Sequence, residues 1–159
     1  MIDAANLIKH PKRRGEWAEL RFMAAAAEHG LSISKPWGDS DRYDVGVEHN
    51  GQYRRVQVKS ITYTMRRSYC CWVGTAGRAR GYTANDLDFF AIFIVPEEAW
   101  YIVPIHMALA TRSRTICITP GIKSNRHEIY REAWHLLRSQ RFEAGGSQVV
   151  VEGEVFQVE

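Results

Sequence analysis

Residues 43–59 read YDVGVEHNGQYRRVQVK and carry the strongest local structural signal in the chain. Valines alternate with polar residues on both sides of Asn50 and Gly51. Such alternation is typical of strands with one buried face, and Asn-Gly between two alternating strands favours a two-residue type I′ turn. The stretch therefore predicts a β-hairpin whose loop is Asn50-Gly51.

A two-residue loop also fixes which residues of the hairpin face each other. His49 then pairs with Gln52, and Asp44 lies directly opposite Gln57. Directly opposed Cβ atoms are about 5 Å apart, and Lys59 lies on the same face two residues along. The sequence thus predicts a polar cluster of Asp44, Gln57 and Lys59 on one face. The other face consists of Tyr43, Val45, Val47, Val56 and Val58.

This polar cluster has the chemistry that phosphodiester hydrolysis requires, namely a divalent cation at the phosphate and a positioned water. Mg²⁺ prefers oxygen ligands and keeps several waters, so Asp44, the amide oxygen of Gln57 and the main-chain carbonyl of Val58 are a sufficient protein contribution. Mn²⁺ could substitute for it. Lys59 would hold the water or help to deprotonate it, and Glu19 from the first helix could add a carboxylate.

An Asp and a Lys on one strand face more often form a weak surface ion pair than an active site. Two observations favour the catalytic interpretation here. The hairpin enforces the pairing of Asp44 with Gln57, and a strongly basic segment adjoins both residues.

The basic segment is visible only in the distribution of charge. The chain has 159 residues with 21 Lys and Arg against 18 Asp and Glu, and a net charge of +3 does not by itself indicate a nucleic-acid partner. Between Glu48 and Asp86, however, there is no acidic residue. The cations of that segment are Arg54, Arg55, Lys59, Arg66, Arg67, Arg78 and Arg80. Solvated strand faces also produce such runs, but a run of this length favours a polyanion-binding surface.

The candidate DNA contacts come from this segment, from the basic residues near the N-terminus and from one aromatic residue. They are Lys12, Arg13, Arg14, Arg66, Arg67, Arg78, Arg80 and Tyr82. The last three lie in or beside the glycine-rich segment Gly74–Gly81, which lacks the endings of a Walker or dinucleotide-binding loop. It is therefore either a plain surface loop or a DNA-phosphate contact.

Other classes of protein are excluded by what the sequence lacks. Its longest apolar run, Phe89–Val95, is far shorter than the roughly 20 residues that span a bilayer, so we expect no membrane partner and a cytoplasmic location. No Cys or His spacing matches a zinc site. We expect Cys70, Cys71 and Cys117 to be buried and reduced.

The sequence predicts one helix before the hairpin and one after it. Gly15–His29 is rich in helix formers, and Gly30 is its natural stop. Asn125 and Glu128 resemble a capping box that opens the second helix. The apolar stripes are Trp17, Leu20, Ala24 and Ala27 in the first helix, and Ile129, Ala133, Leu136 and Leu137 in the second.

Further strands complete a sheet between these helices. Predicted strands cover 31–33, 69–73, 89–95 and 99–103, the last two joined as a hairpin, and 105–110 predicts a short helix. Asp86 and Asp88 flank the second hairpin, and Trp100 and Trp134 are expected in the core rather than as base-stacking platforms. The order helix, sheet, helix predicts an α/β or α+β sandwich around a mixed sheet.

Four segments around the polar cluster resemble a known nuclease family. Gly15–Glu19, Ser34–Asp39, Arg42–Asp44 and Arg55–Ser60 are similar to the group I intron homing endonuclease branch of the PD-(D/E)XK nucleases, which uses Gln-x-Lys. Tyr82–Phe90 and Trp100–Ile105 extend the resemblance, which covers about residues 12–138. It implies a restriction-endonuclease-like core, a central mixed β-sheet flanked by helices. We assign 1–141 to this domain and 142–159 to a C-terminal tail that could add a strand.

The resemblance implies a magnesium-dependent DNA endonuclease whose catalytic residues are Glu19, Asp44, Gln57 and Lys59. Tyr43 stands where the family motif has a proline, which only shapes the entry into the strand. Gln57 stands where the family usually has an acid, and this removes one negative charge from the metal site. Cutting both strands of double-stranded DNA requires two active sites, so we expect a homodimer or homotetramer.

Two alternatives use the same residues. The protein could be a non-catalytic DNA-binding protein on the same fold, with Gln57 marking a degraded metal site, or a Holliday-junction resolvase-like nuclease. Metal-dependent cleavage distinguishes the first alternative from an endonuclease, and a preference for four-way junctions distinguishes the second.

Overall fold

The structure, a computed structural model, describes residues 9–38, 40–75, 81–110, 112–138, 148–151 and 154–157. Its helices are α1 (Pro11–Glu28) and α2 (Ile105–Leu109), with 3-10 helices at Val95–Glu97, Glu128–Tyr130 and Trp134–Leu137. Its strands are β1 (Ser32–Ser34), β2 (Val45–His49), β3 (Gln52–Ile61), β4 (Tyr69–Trp72), β5 (Phe89–Ile94), β6 (Ala99–Pro104), β7 (Thr115–Ile118), β8 (Gln148–Val151) and β9 (Glu154–Gln157). A five-stranded sheet in the order β1-β2-β3-β5-β6 forms the centre.

The hairpin of β2 and β3 confirms the prediction made from its turn. His49 pairs with Gln52, and the antiparallel ladder continues in the same register to Val45. Asn50 and Gly51 have φ angles of 49° and 76°, the left-handed pair that a type I′ turn requires. Local turn chemistry therefore determines the register of the central sheet at this point.

Tyr43 departs from the predicted alternation. The sequence places it on the valine face, but the side chain packs against the core on the other side of the sheet, and its hydroxyl lies 3.3 Å from the hydroxyl of Tyr53. The prediction is wrong because β2 begins only at Val45, and alternation has no meaning beyond the end of a strand.

The sheet is mixed because β3 pairs with β5 in parallel, whereas β5 pairs with β6 as the predicted antiparallel hairpin. α1 covers one face and packs on the valines of β2 and β3. The pair β4–β7 and α2 cover the other face, and Trp100 and Trp134 are both buried, as expected. The sheet thus separates two apolar cores.

Helix α1 starts earlier and faces differently than the sequence predicts. It begins at Pro11, and its buried residues are Ala18, Phe22 and Ala26 rather than the predicted stripe. Leu20 is 64% exposed, and Ala24 and Ala27 of the same stripe are also exposed. The stripe prediction is wrong because the aromatic ring of Phe22, which stacks on Trp134, sets the rotation of the helix. Gly30, with φ of 74°, ends the helix as predicted.

The cysteines also differ from expectation. Cys70 on β4 lies directly opposite Cys117 on β7, and the two form a disulfide. Cys71 is free and buried, as expected. The prediction that Cys70 and Cys117 are buried and reduced is wrong, since Cys117 is exposed and Cys70 half-buried. The pairing of β4 with β7 brings these two cysteines together on one side of a two-stranded sheet, and spacing along the chain does not indicate that pairing.

The predicted second helix does not form as an α-helix. Two 3-10 helices, Glu128–Tyr130 and Trp134–Leu137, flank Glu132, which has a left-handed φ of 49°. The Glu128 carboxylate accepts hydrogen bonds from Tyr101 and Gly121 instead of closing a capping box. Ile129 is consequently 73% exposed, although Ala133 and Leu137 are buried as predicted.

In the tail, β8 and β9 pair with each other as an antiparallel hairpin. Among the described residues, no helix has the length and apolar character needed to cross a membrane.

Candidate active site

Asp44 lies immediately before β2, and its carboxylate faces the middle of β3. Its Oδ2 accepts hydrogen bonds from the Gln57 side-chain Nε2 at 2.6 Å and from the Val58 main-chain N at 2.8 Å. Its own main-chain N donates to the carbonyl of Val56 at 2.9 Å. The structure therefore brings Asp44 and Gln57 together, as the hairpin register predicts.

The carboxylate takes the place of a main-chain partner for Val58. In the register of the hairpin, the N–H of Val58 would pair with residue 43, but β2 has already ended there. In an extended strand the N–H and C=O of one residue point to the same side. Because the N–H of Val58 reaches Asp44, the carbonyl of Val58 points to the same side of β3.

The pKa of Asp44 is raised from 3.8 to about 6, chiefly because burial disfavours the charged carboxylate. The hydrogen bonds from Val58 and Gln57 and the positive charge of Lys59 act against this shift, whereas the negative charge of Glu19 adds to it. All four neighbours thus act on one carboxyl group. A perturbed carboxyl with these surroundings is typical of a functional site.

Glu19 comes from α1 and reaches the site beside a residue that the sequence did not single out. The Nζ of Lys35 donates to Oε2 of Glu19, and the two form an ion pair. Lys35 follows β1 directly and lies within the segment Ser34–Asp39 that carries the family resemblance. Nothing in its local sequence indicates a partner on α1, so only the tertiary structure assigns this contact.

Lys59 projects from β3, is partly buried and lies near the thiol of Cys71. The pKa of this thiol is raised to about 12 because burial disfavours the thiolate, and the positive charge of Lys59 acts against the shift. Within the described segments, no ion pair of Lys59 is found. Its ammonium is therefore held near Asp44 by the strand rather than by a counter-ion.

The donor atoms of the cluster fit a hard divalent cation. Both described hydrogen bonds to Asp44 end on Oδ2, so Oδ1 has no donor among the described residues. The Gln57 Oε1 and the Val58 carbonyl add two neutral oxygens, and Mg²⁺ accepts such a partial set because it keeps several waters. No group of three or more His, Cys, Asp or Glu that could hold a metal occurs in the described part of the chain.

The sequence profile of the PD-(D/E)XK endonuclease family matches residues 9–137. The chain belongs to this family. The matched range contains α1, the hairpin and all four predicted catalytic residues, which are Glu19, Asp44, Gln57 and Lys59.

Two solved structures resemble the chain to different degrees. The bacterial homing endonuclease I-Ssp6803I has a TM-score of 0.70 and 28% identity, and the likeness covers 79% of this chain and 91% of that one. Hjc, a Holliday junction resolvase from the archaeal hyperthermophile Archaeoglobus fulgidus, has a TM-score of 0.42 and 17% identity over 59% of this chain and 75% of that one. No curated protein matches the chain. The likeness to I-Ssp6803I confirms the predicted restriction-endonuclease-like fold.

The candidate DNA contacts of this PD-(D/E)XK domain lie in separate parts of the structure. Arg66 and Arg67 are exposed at the tip of a tight turn, closed by two hydrogen bonds between Met65 and Ser68. Lys12, Arg13 and Arg14 form the first turn of α1. Arg78 and Arg80 lie outside the described residues.

Tyr82 has a packing role that the sequence did not indicate. Its ring lies edge-on to Phe90 with centroids 5.5 Å apart, and the guanidinium of Arg42 lies over it at 5.4 Å. The side chain is partly buried against the core. Tyr82 is thus half-buried beside Phe90 and Arg42, and its role as a DNA contact stays a prediction.

Arg55 is a cation of the basic segment with a structural role. Its guanidinium donates to both carboxylate oxygens of Asp88, each at 3.2 Å, and to the carbonyls of Ala84 and Asn85. Asp88 in turn anchors β5 beside β3. The charge of Arg55 is thus neutralised within the PD-(D/E)XK domain, so fewer cations of the basic segment are available to a ligand than the sequence implies.

Proposed function

We propose that the protein is a divalent-metal-dependent DNA endonuclease that hydrolyses phosphodiester bonds. Asp44, Gln57, the carbonyl of Val58 and Glu19 place Mg²⁺, and Lys59 positions the attacking water. Membership of the PD-(D/E)XK endonuclease family supports this reaction class. The 28% identity to a bacterial homing endonuclease supports DNA as the substrate.

The residues of the cluster have separate tasks in this proposal. When bound, Mg²⁺ stabilises the charge that develops on the phosphate and acidifies a water. Asp44 supplies the main anionic ligand and is oriented by the donors of Gln57 and Val58. Lys59, held on β3 by the same hairpin, orients the attacking water and offsets negative charge in the transition state. Glu19 completes the set from α1.

One observation carries the proposal. The Asp44 carboxylate is tied by Oδ2 to two consecutive residues of β3, Gln57 and Val58, and the next residue but one after Gln57 is the lysine. A structural ion pair would join Asp44 to Lys59 directly. Here the carboxylate instead keeps Oδ1 available beside two neutral oxygens, which is the arrangement a hard cation requires.

Double-stranded DNA is the proposed partner, with Lys12, Arg13, Arg14, Arg66 and Arg67 as phosphate contacts. Exposed cations at a helix N-terminus and on a turn attract phosphate without reading sequence. A homodimer or homotetramer would supply one active site for each strand. The domain proposed to carry these tasks is 1–141, and the proposed location is the cytoplasm.

The test incubates the purified protein with supercoiled plasmid, a linear duplex and a four-way junction, in Mg²⁺ and then in EDTA. We expect cleavage of duplex DNA in Mg²⁺, none in EDTA, and a loss of at least about 100-fold in Lys59→Ala because the water loses its positioning cation. Lys123→Ala, which removes the same charge from an exposed position, is the matched control and should cleave like the wild type.

The outcomes separate the alternatives. Equal products from the wild type and from Lys59→Ala would reject the assigned mechanism. Salt-dependent DNA binding without cleavage would indicate a non-catalytic DNA-binding protein. Cleavage confined to the four-way junction would indicate a resolvase-like nuclease.

A further inference from the structure

Two lysines lie at the candidate active site in different surroundings. Lys59 is partly buried on β3, whereas the side chain of Lys35 is 49% exposed in the loop that follows β1. Lys35 nevertheless donates to Glu19, whose side chain is only 20% exposed. The more accessible lysine is therefore the one that engages a proposed metal ligand.

This ion pair changes the charge of the site. Glu19 and Asp44 contribute two negative charges, and Lys35 and Lys59 contribute two positive ones. Gln57 contributes none. With Lys35 in place the four ionic side chains cancel, and the carboxylate that could compensate for the neutral Gln57 is already occupied by an ammonium group.

We propose that Lys35 is a positioning residue and counter-ion that competes with the divalent cation for the Glu19 carboxylate. It thereby lowers the cation affinity of the protein in the absence of DNA. This inference rests on the proposed metal-dependent function and adds a determinant of metal binding outside the four catalytic candidates.

The position of Lys35 makes such an exchange feasible. A partly exposed ion pair is worth only about 0–1 kcal/mol, so a divalent cation can displace the ammonium group. The loop position leaves the long side chain room to move into solvent once it is displaced. Lys59 has no comparable role because its strand holds it in place and no carboxylate pairs with it in the described segments.

The experiment measures Mn²⁺ and Mg²⁺ binding by calorimetry on the DNA-free protein. Lys35→Met and Lys35→Gln remove the charge, and Lys35→Arg keeps it. We expect the first two variants to bind Mn²⁺ about twofold to fivefold more tightly than the wild type, because Glu19 becomes available, and Lys35→Arg to bind like the wild type. Unchanged thermal unfolding midpoints would establish that the variants are folded.

The variant Glu19→Gln tests whether Lys35 competes with the cation for Glu19 or only repels the cation by its charge. In Glu19→Gln the carboxylate is absent, so we expect weaker binding and no further effect of Lys35→Met. Tightening that persists in this background, or an unchanged or weaker affinity in Lys35→Met alone, would overturn the proposal for Lys35 while leaving the metal site intact. Absence of cation binding in the folded wild type and in every variant would overturn both this proposal and the metal-dependent function.

Discussion

Two opposing influences act on the ionisation of the Asp44 carboxyl group. Burial disfavours its charge, while two hydrogen-bond donors and Lys59 favour it, and burial dominates. The carboxylate is thus held in a site that gains stability from neutralisation by a cation or a proton. At neutral pH the group is ionised, so its cost to folding is present in the metal-free protein.

The first prediction concerns the stability of Asp44→Asn. Because the folded pKa of about 6 exceeds the unfolded value of 3.8, the folded state binds more protons between these values. The free energy of unfolding therefore falls as pH rises through this window, by about 3 kcal/mol in total. Asparagine keeps the hydrogen-bond acceptor without the charge. In EDTA, Asp44→Asn should be more stable than the wild type at pH 7 and equal to it near pH 3.

Chemical denaturation at several pH values checks this. Asp41→Asn, at an exposed position in the preceding loop, is the control and should show little change. A less stable Asp44→Asn at pH 7 would mean that the charged carboxylate contributes to folding and that the sign of the argument is wrong.

The second prediction concerns Gln57→Glu, which restores the acid usual in the family. The glutamine now donates to Asp44 at 2.6 Å, and a glutamate would place two carboxylates in contact. We expect the unfolding midpoint in EDTA to fall by about 2–6 °C, because like charges repel and a donor is lost. Mg²⁺ should raise the midpoint by more than in the wild type, because the site gains an anionic ligand.

Differential scanning calorimetry with and without Mg²⁺ measures both effects. Gln52→Glu adds the same charge at the far end of the same strand and should show neither. Complete loss of magnesium affinity in Gln57→Glu would contradict the role of this residue as a ligand.

At the scale of elements, the predictable parts of the fold are those decided by neighbouring residues. Asn50-Gly51 determines the hairpin and its register, and with them the meeting of Asp44 and Gln57. The segment after Asn125 is decided by distant partners instead. Glu132 accepts a hydrogen bond from the main-chain N of Trp100 and takes a left-handed conformation, which interrupts the predicted helix.

Contacts between segments that are distant in the chain could likewise not be predicted from the sequence. Cys70 and Cys117 are 47 residues apart in sequence. Their disulfide depends on the pairing of β4 with β7, which do not join the central sheet. Spacing alone does not determine such a pairing. The ion pair of Lys35 with Glu19 has the same origin, since β1 and α1 meet only in the tertiary structure.

The third prediction concerns the turn that carries Arg66 and Arg67. Their φ angles of 49° and 69° are left-handed, a conformation that costs a residue with a side chain about 1 kcal/mol or more. Arg66→Asn combined with Arg67→Gly supplies the residues that a type I′ turn favours. We expect the double variant to be more stable by about 1–2 kcal/mol and yet to bind DNA more weakly.

Salt-dependent DNA binding provides the second measurement. Loss of two phosphate contacts should reduce the slope of log affinity against log salt by about 2. Arg112→Gln with Lys123→Gln removes the same charge from other exposed positions and controls for the net charge of the chain. Unchanged DNA affinity together with increased stability would mean that the turn carries its arginines for another reason.

For the whole molecule, the basic residues divide into cations that hold the fold and cations that remain on the surface. Arg55 and Arg42 fix residues 81–88 against the hairpin through Asp88, Asp86 and the carbonyl of Gly81. Arg66 and Arg67 extend away from it. The net charge of +3 is therefore a poor guide to local charge. The turn with Arg66 and Arg67 is strongly positive, whereas the charges of the ionic side chains at the candidate active site cancel.

The last prediction concerns where the folded domain ends. Ala133, Trp134 and Leu137 belong to the core beneath α1, and the family profile ends at residue 137. A chain shortened to 1–141 keeps this core, so we expect its unfolding midpoint and DNA cleavage to match the full chain. A chain shortened to 1–132 loses all three side chains; since removal of a buried Trp or Leu costs about 2–5 kcal/mol, it should lose its cooperative transition. Thermal unfolding of the three chains decides the boundary, and a marked loss of stability in 1–141 would place part of the tail inside the domain.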